Sequence, residues 1–191
     1  MNPVTRIIIT MSLALGIALS TGCVPTLESQ ETRFYVLGAL PAGTPPLKGT
    51  PNDKPLIVDL SSVTIPQYLQ RPQIVTRVSQ NQLVLSEFDN WGGSLEKNML
   101  RSLAGNLSML LATPEIHIAA RRVPTGTDAR VEVEVMSYEY NPDGKVHLQV
   151  QWRLVDGDRD RTPILSRVST FTSGPITGAR DIPQIVGAMT G

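Results

Sequence analysis

From residue 131 onward the chain alternates between apolar and polar side chains with a period of two. Val131, Val133 and Val135 alternate with Glu132, Glu134 and Met136. Val146, Leu148, Val150, Trp152 and Leu154 alternate with His147, Gln149, Gln151 and Arg153. A pleated strand turns successive side chains to opposite faces, so both runs predict half-buried strands of an antiparallel sheet. Between them Asn141-Pro142-Asp143-Gly144 has proline early and glycine late, the residues of a tight turn. A second turn at Asp156-Gly157 leads to a third run, Ile164 to Phe171, and the three predict a meander.

Upstream the period becomes helical. Between about Trp91 and Leu111, Leu95, Met99, Leu103 and Leu107 recur every fourth residue with Leu100, Leu110 and Leu111 beside them, while Lys97, Asn98, Arg101, Ser102 and Asn106 fall elsewhere. This predicts an amphipathic helix facing a sheet, with Asp89 or Asn90 as its cap and Thr113-Pro114 as its end. Before it, Phe34–Leu37 and Leu56–Val63 read as strands, separated by a loop in which Pro45, Pro46, Pro51 and Pro55 exclude regular structure. Ile74–Val78 and Leu83–Leu85 read as a hairpin about Gln80-Asn81. Pro66 and Pro72 bracket a short turn-like insert ahead of it, and Glu115–Ala120 reads as a further strand.

Near the end, Ile182, Ile185, Val186 and Met189 open a second amphipathic helix of about two turns. That length is marginal unless the helix docks on the sheet early or the sequence is a fragment. Together these elements predict an α/β fold: a single compact domain with a mixed β-sheet packed by amphipathic helices.

The first 22 residues follow a different plan. Arg6 precedes an apolar run from Ile7 to about Leu19, and Ser20-Thr21-Gly22 lead to Cys23, the only cysteine of 191 residues. A basic start, a short apolar core and small residues make a secretory signal, and the run falls short of the roughly 20 residues that span a bilayer. L-S-T-G-C resembles a bacterial lipobox, which implies cleavage before Cys23 and acylation of its sulfur and new amine. Acyl chains hold at about 0.8 kcal/mol per buried methylene, so Cys23 is expected to be a tether. Val24 stands where aspartate would signal inner-membrane retention, which points to the outer membrane with the body in the periplasm. The expected division is 1–22 signal, 23–32 acylated terminus and linker, and 33–191 the domain. Fully extended, the linker Val24–Glu31 reaches only roughly 25 Å, so the body stays close to the membrane.

Charge adds little. After loss of Arg6 the chain has 16 basic and 17 acidic residues, with no basic surplus for nucleic acid and no polybasic block for anionic lipid. A catalytic centre finds no support. Trp91-Gly92-Gly93-Ser94-Leu95 lacks the second glycine of a nucleophile elbow, Glu96 standing in its place, so Ser94 reads as a helix-start residue. His117 and His147 have no ligand or general-base spacing around them, and neither metal nor cofactor is called for. Glu132, Glu134 and Glu139 read as the solvated face of the meander, with cross-strand partners such as Lys145 or Arg153.

Pro66 to Arg77 reads P-Q-Y-L-Q-R-P-Q-I-V-T-R. With Tyr35 and Leu37 after the lipobox, Trp91 at the helix start, Asn106-Leu107 near its end and Trp152-Arg153-Leu154, this ordered set resembles the PqiC-type ABC-transport auxiliary lipoproteins. The resemblance spans about residues 23 to 180. It implies a fold similar in layout to the N-terminal domain of TolB and an outer-membrane lipoprotein serving an intermembrane lipid-transport system. The implied partner is an inner-membrane-anchored MCE-domain protein (PqiB-like) with its permease, which the lipoprotein docks or caps without catalysis. A ring of copies around a tubular partner is geometrically sensible. The family's longer C-terminal helix is where this sequence departs.

Tyr68, Leu69, Arg71 and Arg77 are the candidate partner-binding residues, since Tyr and Arg are enriched at interface hot spots. Packing and turn geometry explain Tyr68, Leu69 and Arg71 equally well, and Arg71 or Arg77 could pair with an internal carboxylate. Two other readings stay open: a lipid carrier with its own cavity, against which an aromatic content of only 5% argues mildly, and a periplasmic hydrolase.

Overall fold

The computed structural model describes residues 3, 30–48, 54–118, 126–157, 163–177 and 181–190. Cys23, the signal residues other than Pro3, the linker residues up to 29, and Ala119-Ala120 of the expected fifth strand lie outside the described residues. Thr32–Gly191 forms one compact unit, a mixed α/β domain. Its strands are β1 (Arg33–Tyr35), β2 (Val58–Thr64), β3 (Gln73–Ser79), β4 (Gln82–Trp91), β5 (Ile116–Ile118), β6 (Ala129–Tyr140), β7 (Val146–Asp156) and β8 (Pro163–Thr172). Helix α1 (Leu95–Leu110) follows β4 and α2 (Ile182–Thr190) follows β8.

All eight described strands form one sheet, in the order β1-β4-β3-β6-β2-β5, with β7 on β6 and β8 on β7. The expected meander is β6-β7-β8, antiparallel throughout. Gly144 closes its first turn at φ +79°, a conformation that favours a residue without Cβ. The hairpin is β3-β4. Its second strand runs ten residues rather than three, because the polar segment Ser86–Asn90 continues in the sheet and β1 pairs in parallel along Asp89–Trp91.

Strand β6 organises the rest. One edge carries β7 along its whole length, while the other carries β2 in parallel up to Thr64↔Glu134 and β3 in parallel at Thr76↔Tyr140. Twelve steps from Thr64 to Thr76 therefore lie opposite six from Glu134 to Tyr140, and the surplus is thrown out of the sheet. The ejected piece is the proline-bracketed insert, with a 3-10 turn at Gln67–Leu69. A bulge in β6 between Val135 and Ser137 lies at the same level. It shifts the core-facing set from odd to even positions, so that Tyr138, opposite Leu148, continues the face of Val131, Val133 and Val135.

The core combines this face with the apolar stripe of α1, the turn residues Ile65 and Leu69, and Trp91. Two expectations about α1 change. Trp91 is the buried last residue of β4 rather than the first of the helix, and neither Asp89 nor Asn90 caps it. The cap is Ser94, whose hydroxyl accepts from the Lys97 amide at 3.3 Å. Helix α2 docks directly into the same core. Ile182, Ile185, Val186 and Met189 are all buried, Pro183 occupies the first turn where its missing N–H costs nothing, and the Tyr138 hydroxyl donates to the Met189 carbonyl.

Candidate functional site

The ejected turn is held in place by one carboxylate. Glu139 is only 2% exposed, although its position on β6 puts it on the same side as Glu132 and Glu134. Farther along that face the expectation of a solvated surface holds, with Glu132 opposite Arg153 at 3.8 Å. At Glu139 it fails, because the Pro66–Pro72 segment brings Tyr68 over the carboxylate. Glu139 Oε2 accepts from the Tyr68 hydroxyl and from the Tyr138 amide, both at 2.8 Å. Oε1 accepts from Arg77 Nε at 2.8 Å and Nη2 at 2.5 Å, and Arg77 Nη1 donates to the Gln80 carbonyl. Four donors on two oxygens satisfy a charge that burial would otherwise make very costly. Burial and the bond to Glu139 both push the Tyr68 phenol well above its usual range, so it stays a donor at any physiological pH.

The structure thus brings Tyr68 and Arg77 together, 71 and 62 residues from their common acceptor. Leu69 departs from the expectation of a partner contact: at 2% exposure it packs into the core and offers no surface. Arg77 is spent largely on Glu139, its side chain 26% exposed. Arg71 is the candidate left outward-facing. It is exposed, flanked by exposed Gln67, Gln70 and Pro72, and its guanidinium bonds to none of the described residues. Beside it lies an open recess of about 440 Å³ bordered by Pro72, Trp91, Ser94 and Glu96. Gln70 stiffens this rim, its amide donating to the Ile65 carbonyl at 2.9 Å.

A second cluster secures the strand nearest the expected tether. Asp89 of β4 is buried and accepts from Arg33 Nε at 2.7 Å, the Tyr35 hydroxyl at 3.0 Å and Ser86 Oγ at 2.6 Å. Burial alone would push its carboxyl up, but the bonds from Ser86, Arg33 and Tyr35 outweigh that and hold it below the usual carboxylate range. A depressed folded-state value stabilises the domain above the unfolded value, and that stabilisation is lost as pH falls through the folded one. Thermal melts across a series of acidic pH values should therefore show Asp89→Asn less stable at neutral pH and less sensitive to acid than the parent. Parallel curves for the two proteins would contradict the assignment.

A third buried pair, Asp59 with Arg130 and Ser61, joins β2 to β6. His147 bonds Asp143 at 2.7 Å at the meander turn, and His117 lies 3.4 Å from Glu115. Among the described residues no cluster of side chains could hold a metal ion, and no helix is long and apolar enough to cross a membrane. Sequence reasoning missed Glu139 and Asp89 as organising groups. The signals available for them were an acid beside an aromatic run and the aromatic and basic residues of the distant segments that reach them.

The fold has solved counterparts. A crystal structure titled only as an uncharacterized protein superposes with a TM-score of 0.64 at 19% identity, covering 84% of this chain and 90% of that one. The crystal structure of protein XCC0632 from Xanthomonas campestris, assigned to the family DUF330, gives a TM-score of 0.66 at 13% identity, with coverage of 82% and 85%. At these identities the likeness speaks for the fold. No curated protein matches the chain. The model of the ABC-type transport auxiliary lipoprotein component family matches residues 35–190, a span that takes in β2 to α2, the Glu139 staple and Arg71. The chain belongs to the ABC-type transport auxiliary lipoprotein component family.

Proposed function

We propose that this chain is the membrane-tethered docking subunit of an intermembrane lipid-transport system. Cys23 carries acyl chains in the inner leaflet of the outer membrane, and the body docks or caps an inner-membrane-anchored MCE-domain partner (PqiB-like) associated with a permease. The observation that carries the reading is the ejected turn. A segment thrown out of the sheet and stapled through Tyr68 to a buried ion pair presents Arg71, with no partner among the described residues, on the rim of a recess. Holding that surface rigid lowers the ordering cost of association, which is how a small contact comes to bind usefully. Arginine suits the task because its planar fork gives directional bonds to a partner's carboxylates or carbonyls.

The role asks for no chemistry. Ser94, the one serine in a context resembling a nucleophile elbow, has its hydroxyl on the helix cap. A photo-crosslinking residue in place of Arg71 is expected to capture an MCE-domain protein in intact cells, and one in place of exposed Lys54 is not. Arg71→Glu should weaken that association at least tenfold while leaving the melting temperature unchanged, since the side chain bonds to none of the described residues. Equal capture from both positions, or an unaltered affinity for Arg71→Glu, would remove the turn from the interface.

A further inference from the structure

The helices cover the sheet unevenly. α1 packs mainly over β2 and β5, and α2 packs against β7. An apolar cleft of about 440 Å³ remains beside α1, walled by Met99, Leu103 and Leu107 of the helix and by Val133, Val150 and Trp152 of the sheet. Leu37, two residues beyond β1, borders it, as does Phe171 of β8, which is 58% exposed.

Most of the polar groups in its wall are already engaged. Ser102 Oγ donates to the Gly38 carbonyl at 2.6 Å, Asn106 Oδ1 accepts from the Leu40 amide at 2.8 Å, and Trp152 Nε1 donates to Ser169 Oγ at 3.1 Å. The Tyr138 hydroxyl is held by Met189. A peptide laid into the cleft would surrender its hydrogen bonds to water and recover almost none. A hydrocarbon chain has none to lose. Taking a methylene at roughly 30 Å³, about the share of one water in the liquid, the space suits a dozen or so carbons.

The supply of such a chain follows from the tether. Nine residues separate Cys23 from Arg33, a reach of roughly 30 Å. Leu37 therefore borders the cleft only a few residues beyond the segment that leads to the bilayer. We propose that this cleft takes one acyl chain of a phospholipid drawn from the membrane to which the protein is anchored. The inference rests on the tethered lipid-transport reading above and gives the docking subunit a lipid site of its own.

Trp152 lies in the wall and Trp91, the only other tryptophan, lies outside it, so the site can be read by contact quenching. The mature chain is exported with Cys23→Ser, to carry no acyl group of its own. It is then mixed with phosphatidylethanolamine–phosphatidylglycerol vesicles whose acyl chains are brominated. The parent should lose the Trp152 share of its emission, and Trp152→Phe should lose almost none. Leu103→Phe, which fills the cleft, should suppress the loss without unfolding the domain.

Absence of quenching in the parent would overturn the proposal, and self-association under those conditions would mark the cleft as an interface between copies instead. Equal quenching of the parent and Trp152→Phe would overturn it too, as contact elsewhere on the surface. Neither result touches crosslinking at Arg71. Quenching that persists when no MCE-domain protein is captured would leave the cleft standing and remove the docking role.

Discussion

Replacing Arg77 with methionine is expected to destabilise the domain by about 3–5 kcal/mol, the usual consequence of removing one member of a buried ion pair. Glu139 would keep the Tyr68 hydroxyl and the Tyr138 amide but lose both bonds to Oε1. Its charge would then be buried against an apolar side chain. The double variant Arg77→Met, Glu139→Leu should recover most of the loss, because the charge that needed a partner has gone with it. Tyr68→Phe removes a single bond to a charged acceptor and should cost about 1.5–3 kcal/mol. Urea unfolding measures all three as shifts in midpoint at constant slope. A cost for Arg77→Met below about 1 kcal/mol, the range of exposed pairs, would mean that the staple does not hold the turn.

Ile185→Ala carries the second large effect. Ile185 is fully buried, 0% exposed, at the centre of α2. Deleting buried methyl and methylene groups from such a site costs about 2–5 kcal/mol. The upper part of that range applies here, because nine residues do not sustain a helix alone and α2 owes its order to the four side chains it buries. Hydrogen exchange across 182–190 should accelerate together with the fall in stability. Stability lost without any change in that exchange would contradict the view that Ile185 is what docks the helix.

Much of this architecture was legible because its signals are local. The meander shows as alternation about two turns, α1 as a four-residue recurrence, and the β3-β4 hairpin as two apolar runs about a polar tip. Each is a pattern of near neighbours. What stayed hidden depends on distant partners. Asp89 looked like a helix cap because a carboxylate ahead of a helical stripe is a common cap. Only the parallel pairing with β1, 56 residues away, turns it into a buried clamp.

Glu139 looked solvated for a related reason. Its alternation is correct, and the face it shares with Glu132 is open along most of its length, but nothing local announces that the turn from 66 to 72 roofs its last position. The bulge at Val135–Ser137 is equally silent in the sequence. The candidate site divides the same way. Arg71 kept the surface position expected of it, Leu69 went to the core, and Tyr68 and Arg77 proved to be the means of holding the turn rather than free contacts.

This division gives the docking account a definite form: Glu139, Arg77 and Tyr68 build the surface, and Arg71 uses it. Affinity capture of the tagged chain, with Cys23 retained, from membranes crosslinked in intact cells tests it most directly. Co-recovery of an inner-membrane MCE-domain protein, much reduced by Arg71→Glu, is the expected result. Deep recovery of outer-membrane material without any such protein would contradict it.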